Sequence, residues 1–187
     1  MHYFTTAIIS ALAATAAASP VASNGDHKWI KNPWKNGQVF QFDKTITVKA
    51  DPNQVRNGTT PVPGQEGAKG VFKFGINVAD NTICYNITLS GVTGDYQSPA
   101  ITATHIHEAA KGASGPPRIA IPNPQGPDDR RISYGCLTGP FETGVLNNGT
   151  DTGTNFHVKE IVDNPTGFFA DTHTVQFSLG AVRGQLC

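Results

Sequence analysis

The sequence has no excess of either charge sign and no long run of like charges. Lys plus Arg and Asp plus Glu both number 14 among 187 residues, so the formal net charge at pH 7 is zero. Surfaces that bind nucleic acid or anionic membranes need clustered positive charge. We therefore expect neither of these partners.

Long apolar runs are also missing, except near the N-terminus. Residues 4–18 are apolar and alanine-rich and end in small residues, which is the pattern of a secretory signal. The run is too short and too interrupted by Ser and Thr to predict a membrane span. We expect a protein that is secreted and stays extracellular or associated with the cell wall. Its predicted parts are a signal peptide (1–18), an N-terminal arm with Trp29 and Trp34 (19–37) and one domain (38–187).

Familiar catalytic motifs are absent from the sequence. No serine lies in a nucleophile-elbow pattern, no glycine-rich motif precedes a helix to bind phosphate, and no spacing brings two carboxylates together. The sequence therefore favours a binding module, and an enzyme stays open as the alternative.

Cysteine is scarce, with residues Cys84, Cys136 and Cys187 only. Disulfides persist outside the cell, and an odd count leaves one thiol over. We predict a Cys84–Cys136 disulfide that joins an exposed strand to a loop; the alternative is three free thiols. N-glycosylation sequons begin at Asn57, Asn86 and Asn148.

Glycine and proline are plentiful, at 20 and 13 residues, and they separate short apolar runs. This pattern is typical of many strands joined by turns. Alternating apolar residues predict a strand over 40–48 and a hairpin over 72–89, and a second hairpin closes the domain over 168–186. Residues 154–162 predict the one helix, capped by Thr or Asn at its start.

A His-x-His pair lies in a predicted strand over 104–108. Because alternate residues of a strand share a face, His105 and His107 point the same way and Ile106 points the opposite way. With Ile106 in the core, both imidazoles lie on the outside of the sheet. His173, on a later predicted strand, is the third candidate ligand for one copper or zinc ion. The alternative is that the two rings only form hydrogen bonds with a neighbouring loop.

Charged residues near these histidines are candidates for supporting roles. Asp171 should share a face with His173 and could orient an imidazole, although an exposed acid in a turn is the favoured interpretation. Arg183 is expected to form an ion pair with Glu108 or Asp171. His157, on the predicted helix, is interpreted as a surface residue, with a fourth metal ligand as the alternative.

Several segments together resemble the chordin-type (CHRD) domain family. They are ICYNITLSGV at 83–92, THIHE at 104–108, GPP at 115–117 and AVRGQL at 181–186. Residues 135–141 and 168–173 are similar to a secreted fungal branch of that family. The chain departs from the family pattern at Ala181 and Val182, where the family has Glu-Ile, and in a longer insertion near 155–165. The resemblance implies an all-β, immunoglobulin-like or Greek-key β-sandwich with one short helical insertion, extracellular and without established enzymatic activity.

A weaker resemblance is to the copper side of Cu/Zn superoxide dismutases, which are also β-sandwiches. It implies that His105, His107 and His173 are copper ligands and that Arg183 attracts a small anion; the zinc-loop ligands have no counterpart. Two functions stay open. One is a non-catalytic module that binds an extracellular protein or a cell-wall glycan and holds one copper or zinc ion. The other is a mononuclear copper oxidoreductase acting on superoxide or a similar small oxidant.

Overall fold

The computed structural model describes residues 40–187. The predicted signal peptide and the N-terminal arm with Trp29 and Trp34 lie outside the described residues. The strands are β1 (Lys44–Ala50), β2 (Arg56–Asn57), β3 (Thr60–Pro61), β4 (Lys69–Asn77), β5 (Thr82–Ser90), β6 (Thr104–Glu108), β7 (Pro117–Ile121), β8 (Arg131–Thr138), β9 (Leu146–Asn147), β10 (Thr150–Asp151), β11 (Phe168–Thr172) and β12 (Val182–Gln185). Within the described part of the chain the one α-helix is α1 (Lys159–Asp163), and short 3-10 turns span Pro52–Gln54 and Pro165–Gly167.

Two four-stranded antiparallel sheets pack on a shared core. One sheet has the strand order β1-β4-β5-β8 and the other β12-β11-β6-β7. Apolar residues that alternate along the strands, such as Phe72 and Ile87 of the first sheet and Ile106 and Ile119 of the second, are fully buried in one cluster. The predicted all-β sandwich with one short helix is confirmed.

The predicted hairpin over 72–89 is also confirmed as β4 and β5, which pair along their whole length. Strand β8, the other neighbour of β5, is absent from the sequence-based prediction. Its buried residues include Arg131 and Ser133, while Ile132 between them is only partly buried. The apolar alternation that identifies a strand is therefore inverted at the start of β8.

Three predicted element boundaries are wrong. Strand β1 begins at Lys44, and Phe40, which the apolar alternation assigns to this strand, is 63% exposed. The helix is shorter than predicted because Asn155 adopts a positive φ of 61° and the chain becomes helical only after Val158, which makes no side-chain cap. Strand β11 likewise ends at Thr172, so His173 follows a strand rather than lying within one.

The described residues contain a Cys84–Cys136 disulfide, the pair that the sequence favoured. The two cysteines lie directly opposite each other on β5 and β8, so Cys136 is on a strand and the predicted position in a loop is wrong. Cys187 is free and exposed. The sequon residues Asn57, Asn86 and Asn148 are all exposed.

Candidate metal centre

The register of the second sheet brings the candidate residues onto one face. Asp171 on β11 lies opposite His105 on β6 and opposite Arg183 on β12. Two pairs further along, on the same face, Phe169 lies opposite His107. Residues directly opposite each other in antiparallel strands point to the same side of the sheet. These side chains therefore share the face that is turned away from the core.

Loops cover this face, so the prediction of an exterior site is only half right. Ile106 points into the core as expected, but His105 is 1% exposed and the side chain of His107 is 12% exposed. Three loop segments form the cover: one precedes β6, one follows β6 and one follows β11. Each contributes a backbone carbonyl that contacts one imidazole. Buried imidazoles under such a cover are held in one orientation.

The same carbonyls determine where each ring carries its proton. His105 donates from Nε2 to Thr102 O at 2.7 Å, His107 from Nδ1 to Gly115 O at 2.8 Å, and His173 from Nδ1 to Ser178 O at 2.9 Å. A carbonyl oxygen only accepts, so the ring nitrogen that faces it must bear the hydrogen. In the neutral rings the opposite nitrogens, His105 Nδ1, His107 Nε2 and His173 Nε2, then carry lone pairs.

Those lone-pair nitrogens converge on the carboxylate of Asp171. Oδ1 of Asp171 lies 3.6 Å from His105 Nδ1 and 3.3 Å from His107 Nε2, and Oδ2 lies 3.1 Å from His173 Nε2. One donor atom from each residue lies within 4.8 Å of all the others. Donors about 2.0 to 2.1 Å from a tetrahedral ion are about 3.3 Å apart. The cluster has the donor types and close to the spacing of such a site.

With the rings neutral and their protons on the carbonyl side, two buried atoms in the cluster, Asp171 Oδ1 and His173 Nε2, have no hydrogen-bond partner among the described residues, although His173 Nε2 lies 3.1 Å from Asp171 Oδ2. In addition, His105 Nδ1 and His107 Nε2 are only 3.3 Å apart, and two lone pairs at that distance repel each other. Buried polar atoms are normally paired. A cation between these atoms would satisfy all of them, so the residues present fit a bound metal ion.

The electrostatics of the cluster favour an ionised acid. Burial alone would raise the pKa of Asp171, but His107 and His173 reverse that effect and lower it well below its ordinary value. Burial lowers the pKa of His105, an effect that Asp171 only partly opposes. For His173, burial would lower the pKa, but Asp171 outweighs it and raises the pKa. Asp171 is therefore a carboxylate and His105 is neutral near pH 7.

The roles predicted for the charged neighbours need correction. Asp171 is a buried strand residue at the centre of the cluster and not an exposed acid in a turn. Glu108 is exposed and pairs with Arg118 instead, with Arg118 Nε 2.9 Å from Glu108 Oε2. His157 lies in the turn before α1 and does not belong to the cluster.

Arg183 packs above the sheet and forms no ion pair with either predicted partner, Glu108 or Asp171. Its guanidinium carbon lies 3.5 Å from the centre of the Phe169 ring, and Nη2 donates to Ala113 O at 2.6 Å. Burial lowers the pKa of Arg183, and Asp171 opposes that shift. Arg183 also lines a cavity of about 140 Å³ that reaches His107, Asp171 and His173. The centre is therefore covered but accessible to something small.

The fold and this cluster define an all-β sandwich domain with a candidate metal centre on the outer face of one sheet. Residues 48–186 match the family model described as the CHRD domain, and the chain belongs to that family. No curated protein and no solved structure matches the chain. The match supports the CHRD resemblance and does not extend to the narrower fungal branch or to the superoxide dismutases.

Proposed function

We propose that this chain is a secreted CHRD-domain protein that holds one divalent transition-metal ion through His105, His107, His173 and Asp171. The observation that carries the proposal is the convergence of imidazole lone pairs and a buried carboxylate on one point. Each ligating ring is oriented from behind by a backbone carbonyl, the arrangement that usually supports metal-binding histidines.

Zinc is the ion that this donor set favours. Structural zinc sites use four protein ligands in a tetrahedral arrangement, and the donor separations here fit that geometry. Copper(II) prefers a square-planar or tetragonal arrangement. In this role the ion would hold β6, β11 and the loops above them together. The rest of the domain surface would stay free to bind an extracellular protein or a cell-wall glycan.

The proposed extracellular location rests on several separate observations. Residues 4–18 have the composition of a secretory signal, and the Cys84–Cys136 disulfide suits an oxidising environment. The sequon residue Asn86 is exposed and available to a glycan. Among residues 40–187, no helix is long and apolar enough to cross a membrane.

A second candidate function is a mononuclear copper oxidoreductase acting on superoxide or a similar small oxidant. The observation that favours it is the cavity that leads to His107 and His173 past the cation Arg183. When bound, a copper ion would supply one-electron chemistry, and the chain would supply its orientation and an approach for a small anion. Copper in the purified protein together with consumption of superoxide would support this candidate over zinc.

The test of the metal proposal uses secreted protein purified without a histidine tag. We expect about one equivalent of zinc by elemental analysis, and saturable binding of Zn²⁺ after removal of metal with a chelator. His107→Ala should weaken binding by at least about 100-fold, because one of the ligands is lost. The matched control is His157→Ala, which removes an imidazole outside the cluster and should bind like the wild type.

Binding that is absent in the wild type, or equal in His107→Ala and in the wild type, would contradict the proposal. In that case the cluster would only connect β6, β11 and their loops, and the chain would be a module without a metal.

Metal affinity should increase with pH. The raised pKa of His173 means that this ring keeps a proton to a higher pH than an ordinary histidine, and the proton must leave before Nε2 can bind a metal. Asp171 has a lowered pKa and needs no deprotonation in the same range. We expect the Zn²⁺ affinity to fall about tenfold per pH unit below the pKa of His173 and to level off above it. Calorimetry in buffers of different ionisation enthalpy would count the released protons; a pH-independent affinity would contradict this expectation.

A further inference from the structure

Two arginines line the cavity beside the candidate metal centre, and within the described part of the chain neither forms an ion pair. Arg183 and Arg56 both line this cavity of about 140 Å³. No carboxylate among residues 40–187 forms an ion pair with either of them. Arg183 is nevertheless only 3% exposed. A buried guanidinium without an ion pair is unusual, because buried charges are normally paired.

The guanidinium of Arg183 is held in place. It stacks on the ring of Phe169 at 3.5 Å, and its Nη2 donates a hydrogen bond to Ala113 O. Its other N–H groups have no hydrogen-bond partner among the described residues. Arg56 uses Nη1 for the carbonyls of Asn53 and Val55, at 2.8 Å in each case. The chain thus fixes both side chains through their surroundings and leaves donors available at the cavity.

The charge of the cavity is positive. The arginines contribute two positive charges, and Asp171 is the one acidic residue among the described residues that line it. Asp171 is also directed at the histidines, so a bound divalent ion would both engage this carboxylate and add two further positive charges. An anion that enters the cavity would therefore meet an attractive field, which strengthens when the metal is present.

We propose that this cavity binds a small carboxylate, with Arg183 as the principal donor and Arg56 as the second. The planar guanidinium matches the two oxygens of a carboxylate better than it matches a spherical ion. A cavity of about 140 Å³ has room for about five waters at roughly 30 Å³ each, so the ligand has only a few non-hydrogen atoms. The site's position rests on the proposed metal function, but the arginines bind a carboxylate in the metal-free protein as well.

The test titrates sodium acetate into metal-free and zinc-loaded protein, with chloride used to keep the ionic strength constant. Arginine Nε–H resonances are followed by NMR. We expect saturable shifts that require less acetate in the zinc-loaded protein. Arg183→Gln should weaken acetate binding by at least about tenfold and Arg56→Gln by about threefold, because each loses a charge-assisted donor. Arg130→Gln, an exposed arginine outside the cavity, is the matched control and should bind like the wild type.

Arg183→Lys adds a variant that keeps the charge while losing the planar fork, and it is informative if Arg183→Gln does not fold. A clear loss in Arg183→Lys supports a carboxylate-specific site. Shifts that do not saturate with acetate, or that persist unchanged in both Arg183 variants, would overturn the proposal. Shifts that added chloride abolishes as readily in the wild type as in the Arg183 variants would overturn it as well. Acetate binding that depends on Arg183 in a protein that takes up no zinc would support the carboxylate site and contradict only the metal function.

Discussion

Asp171→Asn is expected to reduce the Zn²⁺ affinity by at least about 100-fold while leaving the fold intact. The amide has the shape of the carboxylate but carries no charge, and a neutral oxygen is a much weaker ligand for a divalent ion. Asp171 is also the contact that all the cluster histidines share, within 3.6 Å of His105 and closer to the other two. The affinity would be measured by competition with a chelator of known strength.

The matched control for this variant is Asp163→Asn, which makes the same substitution at the exposed end of α1, where Asp163 pairs with Lys159. It should bind zinc like the wild type. Thermal unfolding with and without EDTA distinguishes the two explanations for the cluster. A metal site predicts that EDTA abolishes most of the stability difference between wild type and Asp171→Asn. A destabilisation that is the same with and without EDTA would show instead that Asp171 acts by pairing with the histidines alone.

Ile106→Ala should lower the free energy of unfolding by about 2 to 5 kcal/mol. Ile106 is fully buried in the shared core, on a strand that has a partner on each side, β11 and β7. Truncation removes apolar contacts and leaves a cavity that a paired strand cannot close easily. Chemical denaturation of the metal-free protein, followed by fluorescence or circular dichroism, measures the change.

Ile101→Ala provides the control for this second substitution. Ile101 lies just before the same strand but is 62% exposed, so the same truncation should cost less than about 0.5 kcal/mol. A small effect of Ile106→Ala, comparable to that of Ile101→Ala, would contradict the assignment of Ile106 as the core residue of β6. Zinc binding by folded Ile106→Ala should stay close to the wild-type value, because the ligands lie on the other face.

The sequence predicts the fold class and half of the candidate site well, for simple physical reasons. Two-residue periodicity identifies β4, β5 and the His-x-His strand, and it correctly assigns Ile106 and the imidazoles to opposite faces. It also indicates that Asp171 and His173 share a face. The burial of Asp171 escapes prediction, because a lone acid is usually exposed and nothing local shows that loops will cover it.

The register between distant strands cannot be predicted from the sequence. The pairing of Asp171 with both His105 and Arg183 follows from how β11 aligns with its two neighbours. A shift by one residue would send Asp171 to the core face. The covering carbonyls of Thr102, Gly115 and Ser178 are equally hidden, because any residue type supplies a carbonyl. Strand β8 is missed for a different reason, since its buried positions hold Arg131 and Ser133.

The arrangement of β6 beside β11 also affects how a metal would act on folding kinetics. Residues 105 and 171 are 171 − 105 = 66 positions apart in the chain, so the complete ligand set forms only after a long loop has closed. An ion that needs this late pairing stabilises the native state more than the transition state. It should therefore slow unfolding and leave the folding rate nearly unchanged. The ion would then stabilise the completed sandwich without speeding its formation.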